Sequence, residues 1–142
     1  MSNARASYKH FLPIPTRWMD NDVYGHVNNV VYYSYFDTVV NDYLMRHGEL
    51  DYRNGVVVGW VVETMCQYKK SLAFPESVDV GLRVAKIGNS SVRFEIGIFK
   101  QGDDEPAAFG HLVHVFVERA VQKAVAIPSA IRAALEKIRI VD

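Results

Sequence analysis

From Val30 onward, Tyr33, Phe36, Val40, Tyr43 and Leu44 recur at the three-and-four spacing of one helical face, which predicts a helix running to His47. Val31, Tyr32, Tyr35 and Val39 make the other side apolar as well, so this helix is expected to be enclosed on most sides. Asn28 fits its N-cap and Gly48 its C-terminal stop. After Gly55 the pattern changes to a β-branched run, Val56-Val57-Val58-Gly59-Trp60-Val61-Val62-Glu63, predicting a strand that continues towards Tyr68. Strict alternation follows. Val78, Val80, Leu82 and Val84 share a face opposite Asp79, Arg83 and Ala85, and beyond a turn at Gly88-Asn89 the residues Val92, Phe94, Ile96 and Ile98 repeat it against Arg93 and Glu95. A second turn, Gly102 to Pro106, leads into a strand from about Ala107 to Glu118. The last element is a short helix from about Pro128 with Ile131, Leu135 and Ile138 as its stripe.

Tyr8 to Met19 reads as extended, with Pro13 and Pro15 confining it to a position at or near a sheet edge. Met1 to Ala6, small and polar, is expected to fray and is set apart from the fold. The three alternating strands from Val78 to Glu118, in sequence order, predict a meander as the simplest pairing. One enclosed helix and an antiparallel sheet make an α+β layer structure in which the curved sheet wraps the helix.

With 142 residues, 49% apolar and 12% aromatic, the chain supports one core, and a single domain over residues 1–142 is expected. Sixteen basic and sixteen acidic residues cancel, so no global field draws the protein to nucleic acid or an anionic membrane. The single cysteine, Cys66, excludes an intramolecular disulfide and fits a reducing compartment; with no apolar signal core or span, a soluble cytoplasmic protein is expected.

The residues with chemical potential concentrate ahead of the long helix, in Asp20-Asn21-Asp22-Val23-Tyr24-Gly25-His26-Val27-Asn28-Asn29. A carboxylate beside the free N–H groups of a helix start can attack or deprotonate while those donors stabilise an oxyanion, which is what acyl transfer requires. The spacing of Asp20, Asp22 and Gly25 also matches the opening of a calcium-binding EF-hand loop, but the twelfth position is Val31 rather than Glu. His111 and His114, three apart on a strand, fall on opposite faces, so no metal is expected. Ser90 and Ser91 lie outside any GxSxG elbow, and nothing near Cys66 would activate it.

The motif Asp20-x-Asp22-x-x-Gly25-His26-Val27-Asn28-Asn29, followed by Tyr32-x-x-Tyr35-Phe36, closely resembles the hotdog-fold acyl-CoA thioesterases of the 4-hydroxybenzoyl-CoA thioesterase type. The Val-rich strand carrying Glu63, the segment Phe74 to Val80, the turn Gly88 to Ser91, the strand His114 to Val117 and Ile127-Pro128 extend the resemblance over nearly the whole chain. It implies the hotdog fold, with a curved antiparallel sheet around a long central helix and a short C-terminal helix. Asp22 is then the catalytic carboxylate, as nucleophile or general base, and backbone N–H groups around Asn28 and Asn29 form the oxyanion hole. His26 is either a proton carrier or a residue that shapes the loop. Asn29 orients water or substrate through its side chain or contributes backbone alone, and Tyr24 and Gly25 complete the substrate-facing loop. Glu63 is a further acid on an apolar strand, either buried for catalysis or facing solvent or a subunit boundary. Coenzyme A, part of the substrate and not a cofactor, is expected along a subunit boundary, reaching the turn with Asn89, Ser90 and Ser91. Lys86 or Arg93 would supply the phosphate contacts that the Gly88-Asn89 turn lacks. A homodimer or homotetramer follows from the resemblance. Two further functions share this layout: an enoyl-CoA hydratase or dehydratase using Asp22 and His26, though the intervening Val23-Tyr24-Gly25 lacks the hydratase signature's proline, and a non-catalytic acyl-CoA-binding module.

Overall fold

A computed structural model describes residues 2–141. The elements are β1 (His10–Pro15), α1 (Val31–His47), β2 (Val57–Tyr68), β3 (Ser77–Ile87), β4 (Ser91–Lys100), β5 (Ala108–Glu118), β6 (Lys123–Ala124) and α2 (Ser129–Lys137). The strands form one antiparallel sheet in the order β1-β3-β4-β5-β2, with the short β6 on β5.

The sheet wraps one side of α1. Inward residues of β3 and β4, among them Val80, Leu82, Phe94 and Ile96, meet Phe36, Val39, Val40 and Leu44 of the helix in a core from which solvent is excluded. Each large side chain buried this way contributes about 1.5–3 kcal/mol, so the inner layer supplies most of the fold's driving force. Ile131 and Leu135 of α2 close one end, where the Tyr43 hydroxyl donates to the Ala134 carbonyl at 2.6 Å.

The expected meander forms: β3, β4 and β5 pair in sequence order, while α1 carries the chain across the sheet and delivers β2 to the edge opposite β1. Two expectations change. The helix is not enclosed on most sides, since Ser34, Asp37, Thr38 and Met45 are exposed along the face the sheet does not reach. Residues 2–6 do not hang free. Arg5 reaches Asp79 at 2.9 Å and the Asp103 carbonyl at 2.8 Å, and the buried Arg83 donates to the Ser2 carbonyl and to the Ser7 hydroxyl, each at 2.8 Å. Arg83 also pairs with Glu95 at 2.8 Å. This segment therefore covers the outer face of the sheet and seals Phe99, whose ring meets Tyr8 and Phe11 edge-on. Met1 lies outside the described residues. Among those described, no helix is long and apolar enough to cross a membrane.

β2 occupies an outer edge. It is twelve residues long, its exposed residues include Trp60, Val61 and Val62, and its outer side has no partner strand among the described residues. A long apolar edge of this kind is a template for pairing with another strand.

Candidate active site

The loop ahead of α1 is held from beneath by a buried carboxylate. Asp20, 1% exposed, accepts from the Arg17 amide at 2.9 Å, the Arg17 guanidinium at 3.0 Å and the Tyr35 hydroxyl at 2.8 Å. Burial pushes its carboxyl upward, yet the bonds from Arg17 and Tyr35 together outweigh it and hold the group below the usual carboxylate range. Its carbonyl accepts the Asn28 N–H at 2.9 Å. Asp20 therefore sets the position of the loop rather than acting within it.

Asp22 stands on the turn that this anchor supports. Its N–H donates to the His26 carbonyl, its carbonyl accepts the Gly25 N–H, and its Oδ1 accepts the Tyr24 N–H at 2.9 Å. Gly25, at φ 83°, takes the left-handed conformation that lets the chain turn back on itself. Oδ2 of Asp22 has no protein partner among the described residues. The loop after β2 closes over the other side, with Val27 N–H donating to the Leu72 carbonyl at 2.7 Å and Phe74 N–H to Asn21 Oδ1 at 3.1 Å.

The two expected oxyanion donors separate. The Asn28 N–H is spent on Asp20, while its Oδ1 accepts from Val30 and its carbonyl from Val31, closing a four-residue turn. Asn28 is thus the polar lock of this turn and not the helix N-cap, which is Val30. The Asn29 N–H has no acceptor among the described residues. Asp22, Tyr24, His26, Val27, Asn29 and Tyr32 line a cavity of about 480 Å³, whose remaining wall is Tyr68, Lys69, Lys70 and Ser71 from the end of β2. That wall escaped the sequence reading because Tyr68 to Ser71 carries no motif and becomes adjacent to the loop only through the fold.

Other expected site residues lie elsewhere. Glu63 is on the outer face of the sheet, bonded to His111 Nε2 at 2.7 Å and away from this cavity. Arg93 faces His111 Nδ1 at 3.1 Å. Because a guanidinium only donates, that nitrogen accepts, and Nε2 carries the proton given to Glu63. One guanidinium N–H of Arg93 is therefore tied to the His111–Glu63 pair on the outer face of the sheet. Lys86 is exposed opposite Arg93, beside a bulge at Ala85. The turn with Asn89, Ser90 and Ser91 is tied down by Ser90 to Phe116, Asn89 to Ile127 and the Arg132 guanidinium on the Gly88 carbonyl at 2.8 Å. It sits at the far end of the sheet: Ser91 pairs with Val115, whereas Tyr68, beside Asp22's cavity, pairs with Ala108. Seven strand residues separate those rows, roughly 23 Å. Within one chain, the turn and Asp22 do not share a site.

His114 is a second buried group. Its Nδ1 has no partner among the described residues, and the ring packs against Phe94, Phe116 and the bare backbone of Gly59. Desolvation pushes its pKa down to about 4.

A profile of the thioesterase-like superfamily matches residues 16–135, so the chain belongs to that superfamily, the hotdog-type thioesterases. The PA5185 protein of Pseudomonas aeruginosa strain PAO1 is 52% identical, covers 96% of this chain and 95% of its own, and superposes with a TM-score of 0.95. The PA2801 protein of Pseudomonas aeruginosa, a proposed thioesterase, is 30% identical over 90% of this chain and 98% of its own, with a TM-score of 0.84. Slr0204, a 1,4-dihydroxy-2-naphthoyl-CoA thioesterase from Synechocystis, is 14% identical, spans 88% of this chain and 93% of its own at a TM-score of 0.80, and shows the fold alone.

Proposed function

We propose that the protein hydrolyses an acyl-CoA thioester to a free carboxylic acid and coenzyme A. The observation that carries this reading is the cavity into which the loop presents Asp22 together with Asn29, whose N–H is uncommitted. The uncommitted oxygen of Asp22 attacks the thioester carbonyl or takes a proton from the attacking water, and the Asn29 N–H stabilises the oxyanion that forms. The thiolate of coenzyme A leaves and takes up a proton; on the covalent route water then cleaves the acyl–Asp22 anhydride, releasing the carboxylic acid and restoring the Asp22 carboxylate. The reaction as written needs neither metal nor organic cofactor. The carrier is taken as coenzyme A, the thiol in the substrate of the similarly folded Slr0204.

Topology supports a composite site. If β2 pairs antiparallel with β2 of a second copy across a two-fold axis, the Tyr68 end of one meets the Val57 end of the other. The second copy's turn 88–91, lying at the Val57 end of its sheet, then approaches the Asp22 cavity that the same turn cannot reach within one chain. A homodimer of two such sites is the minimal assembly, and a cytoplasmic location accords with the free cysteine.

The test is to mix the purified protein with a panel of acyl-CoAs and a thiol-reactive dye. Release of free thiol supports hydrolysis. A hydratase or a binding protein releases none.

A further inference from the structure

We propose that Tyr68 is a positioning residue for the oxyanion donor, acting through the peptide that follows Asn29; this rests on the hydrolase reading above. The start of α1 leaves an unusual gap in its bonding. Tyr33 N–H donates to the Val30 carbonyl at 3.3 Å, three residues back, so the Asn29 carbonyl one residue earlier receives no helical N–H. The Tyr68 hydroxyl fills that gap, donating to the Asn29 carbonyl at 2.9 Å from the last residue of β2. The Tyr68 ring is held edge-on against the buried Tyr32, with centroids 5.0 Å apart, which fixes the direction of its hydroxyl.

Asn29 is thereby gripped from two sides. Asn28 is locked to Asp20 and to Val30 and Val31, and Tyr68 holds the carbonyl side. Asn29 is itself exposed, with no packing of its own to hold the backbone. A donor that stabilises an oxyanion works by already pointing at the place where charge will form, and misplacement by about 1 Å can cost about 100-fold. Without the Tyr68 hydroxyl the peptide after Asn29 turns to find water, and the N–H before it loses its aim. Tyr68 touches no reacting atom in this account, and its effect passes entirely through Asn29.

The experiment is a double-mutant cycle with Tyr68→Phe and Asn29→Pro, measured on an acyl-CoA that the wild type turns over. Tyr68→Phe keeps the ring on the cavity wall, so KM stays near the wild-type value while kcat falls roughly 10- to 100-fold. In the Asn29→Pro background there is no N–H left to aim, and adding Tyr68→Phe changes kcat by less than about twofold. A tyrosine that only supports the fold or binds substrate lowers activity by the same factor in both backgrounds, and that result overturns the proposal. An unchanged kcat in Tyr68→Phe overturns it as well while leaving the hydrolase reading intact. Wild-type protein that releases no thiol from any acyl-CoA removes that reading, and the role of Tyr68 with it.

Discussion

Replacing Asn29 by alanine and by proline separates a backbone role from a side-chain role at the same position. Asn29 is the second residue of the turn closed by Val31 N–H on the Asn28 carbonyl, the position at which proline is best tolerated, and its own N–H takes no part in that turn. Both variants should therefore fold, with proline deleting only the uncommitted N–H of this cavity-lining residue. Loss of one oxyanion donor costs about 10²- to 10³-fold in kcat, or roughly 2.7–4 kcal/mol of transition-state stabilisation. Asn29→Ala keeps the N–H and should retain activity within about tenfold of wild type. The assay is thiol release at saturating acyl-CoA, with circular dichroism and thermal melting to establish that both variants are native. Equal and severe loss in the two variants would assign the chemistry to the Asn29 side chain and refute the backbone argument. Wild-type activity in Asn29→Pro would remove position 29 from the oxyanion site altogether.

Three further outcomes follow from buried geometry and from the open edge. His114 is held neutral by burial, with its pKa down from 6.5 to about 4, so its contribution to stability is full above about pH 6.5 and is withdrawn as pH falls toward about 4. The total is about 3 kcal/mol, and urea titrations should show a shallower acid loss in His114→Leu than in wild type; parallel curves would contradict it. A Cβ at Gly110 would stand 1.8 Å from the Met65 carbonyl oxygen, so Gly110→Ala should lose more than about 3 kcal/mol of stability or fail to fold, and a wild-type melting temperature would show that β2 and β5 are not so closely paired there. Light scattering should report at least a dimer, and charged residues at Val61 and Val62 on the β2 edge should lower both assembly and turnover; a fully active monomer would exclude the composite site.

Periodicity was enough to place most elements within a residue or two, because long alternating strands and a helix stripe are local signals: β3, β4, β5 and α1 follow Val78 to Ile98, the strand beginning near Ala107 and the residues after Val30. Strand order was not local. Nothing in Val57–Tyr68 announces that it pairs with β5 rather than with its neighbour β3, since that choice is made by the path of α1 across the sheet. The motif located the loop of Asp22, whereas the bonds to Arg17 and Tyr35 by which Asp20 anchors that loop became visible only in the fold. Alternation placed Arg93 on the outer face, but Glu63 drew notice by charge alone, and the bulge between Val61 and Glu63 breaks the alternation that would have told which side of the sheet it faces. Tyr68 was invisible for a different reason. A tyrosine ending an apolar strand is ordinary in sequence, and only the fold brings its hydroxyl to Asn29.

If Asp22 performs thioester hydrolysis in this cavity, its carboxylate is indispensable to turnover. The measurement is kcat for thiol release by Asp22→Asn, taken on the acyl-CoA that the wild type turns over fastest, beside a circular dichroism spectrum of the same sample. Asparagine keeps an oxygen that can accept the Tyr24 N–H, so the loop should persist while the nucleophile or base is lost. A native spectrum with turnover reduced by about 100-fold or more is expected. A native spectrum with near-wild-type turnover would contradict it.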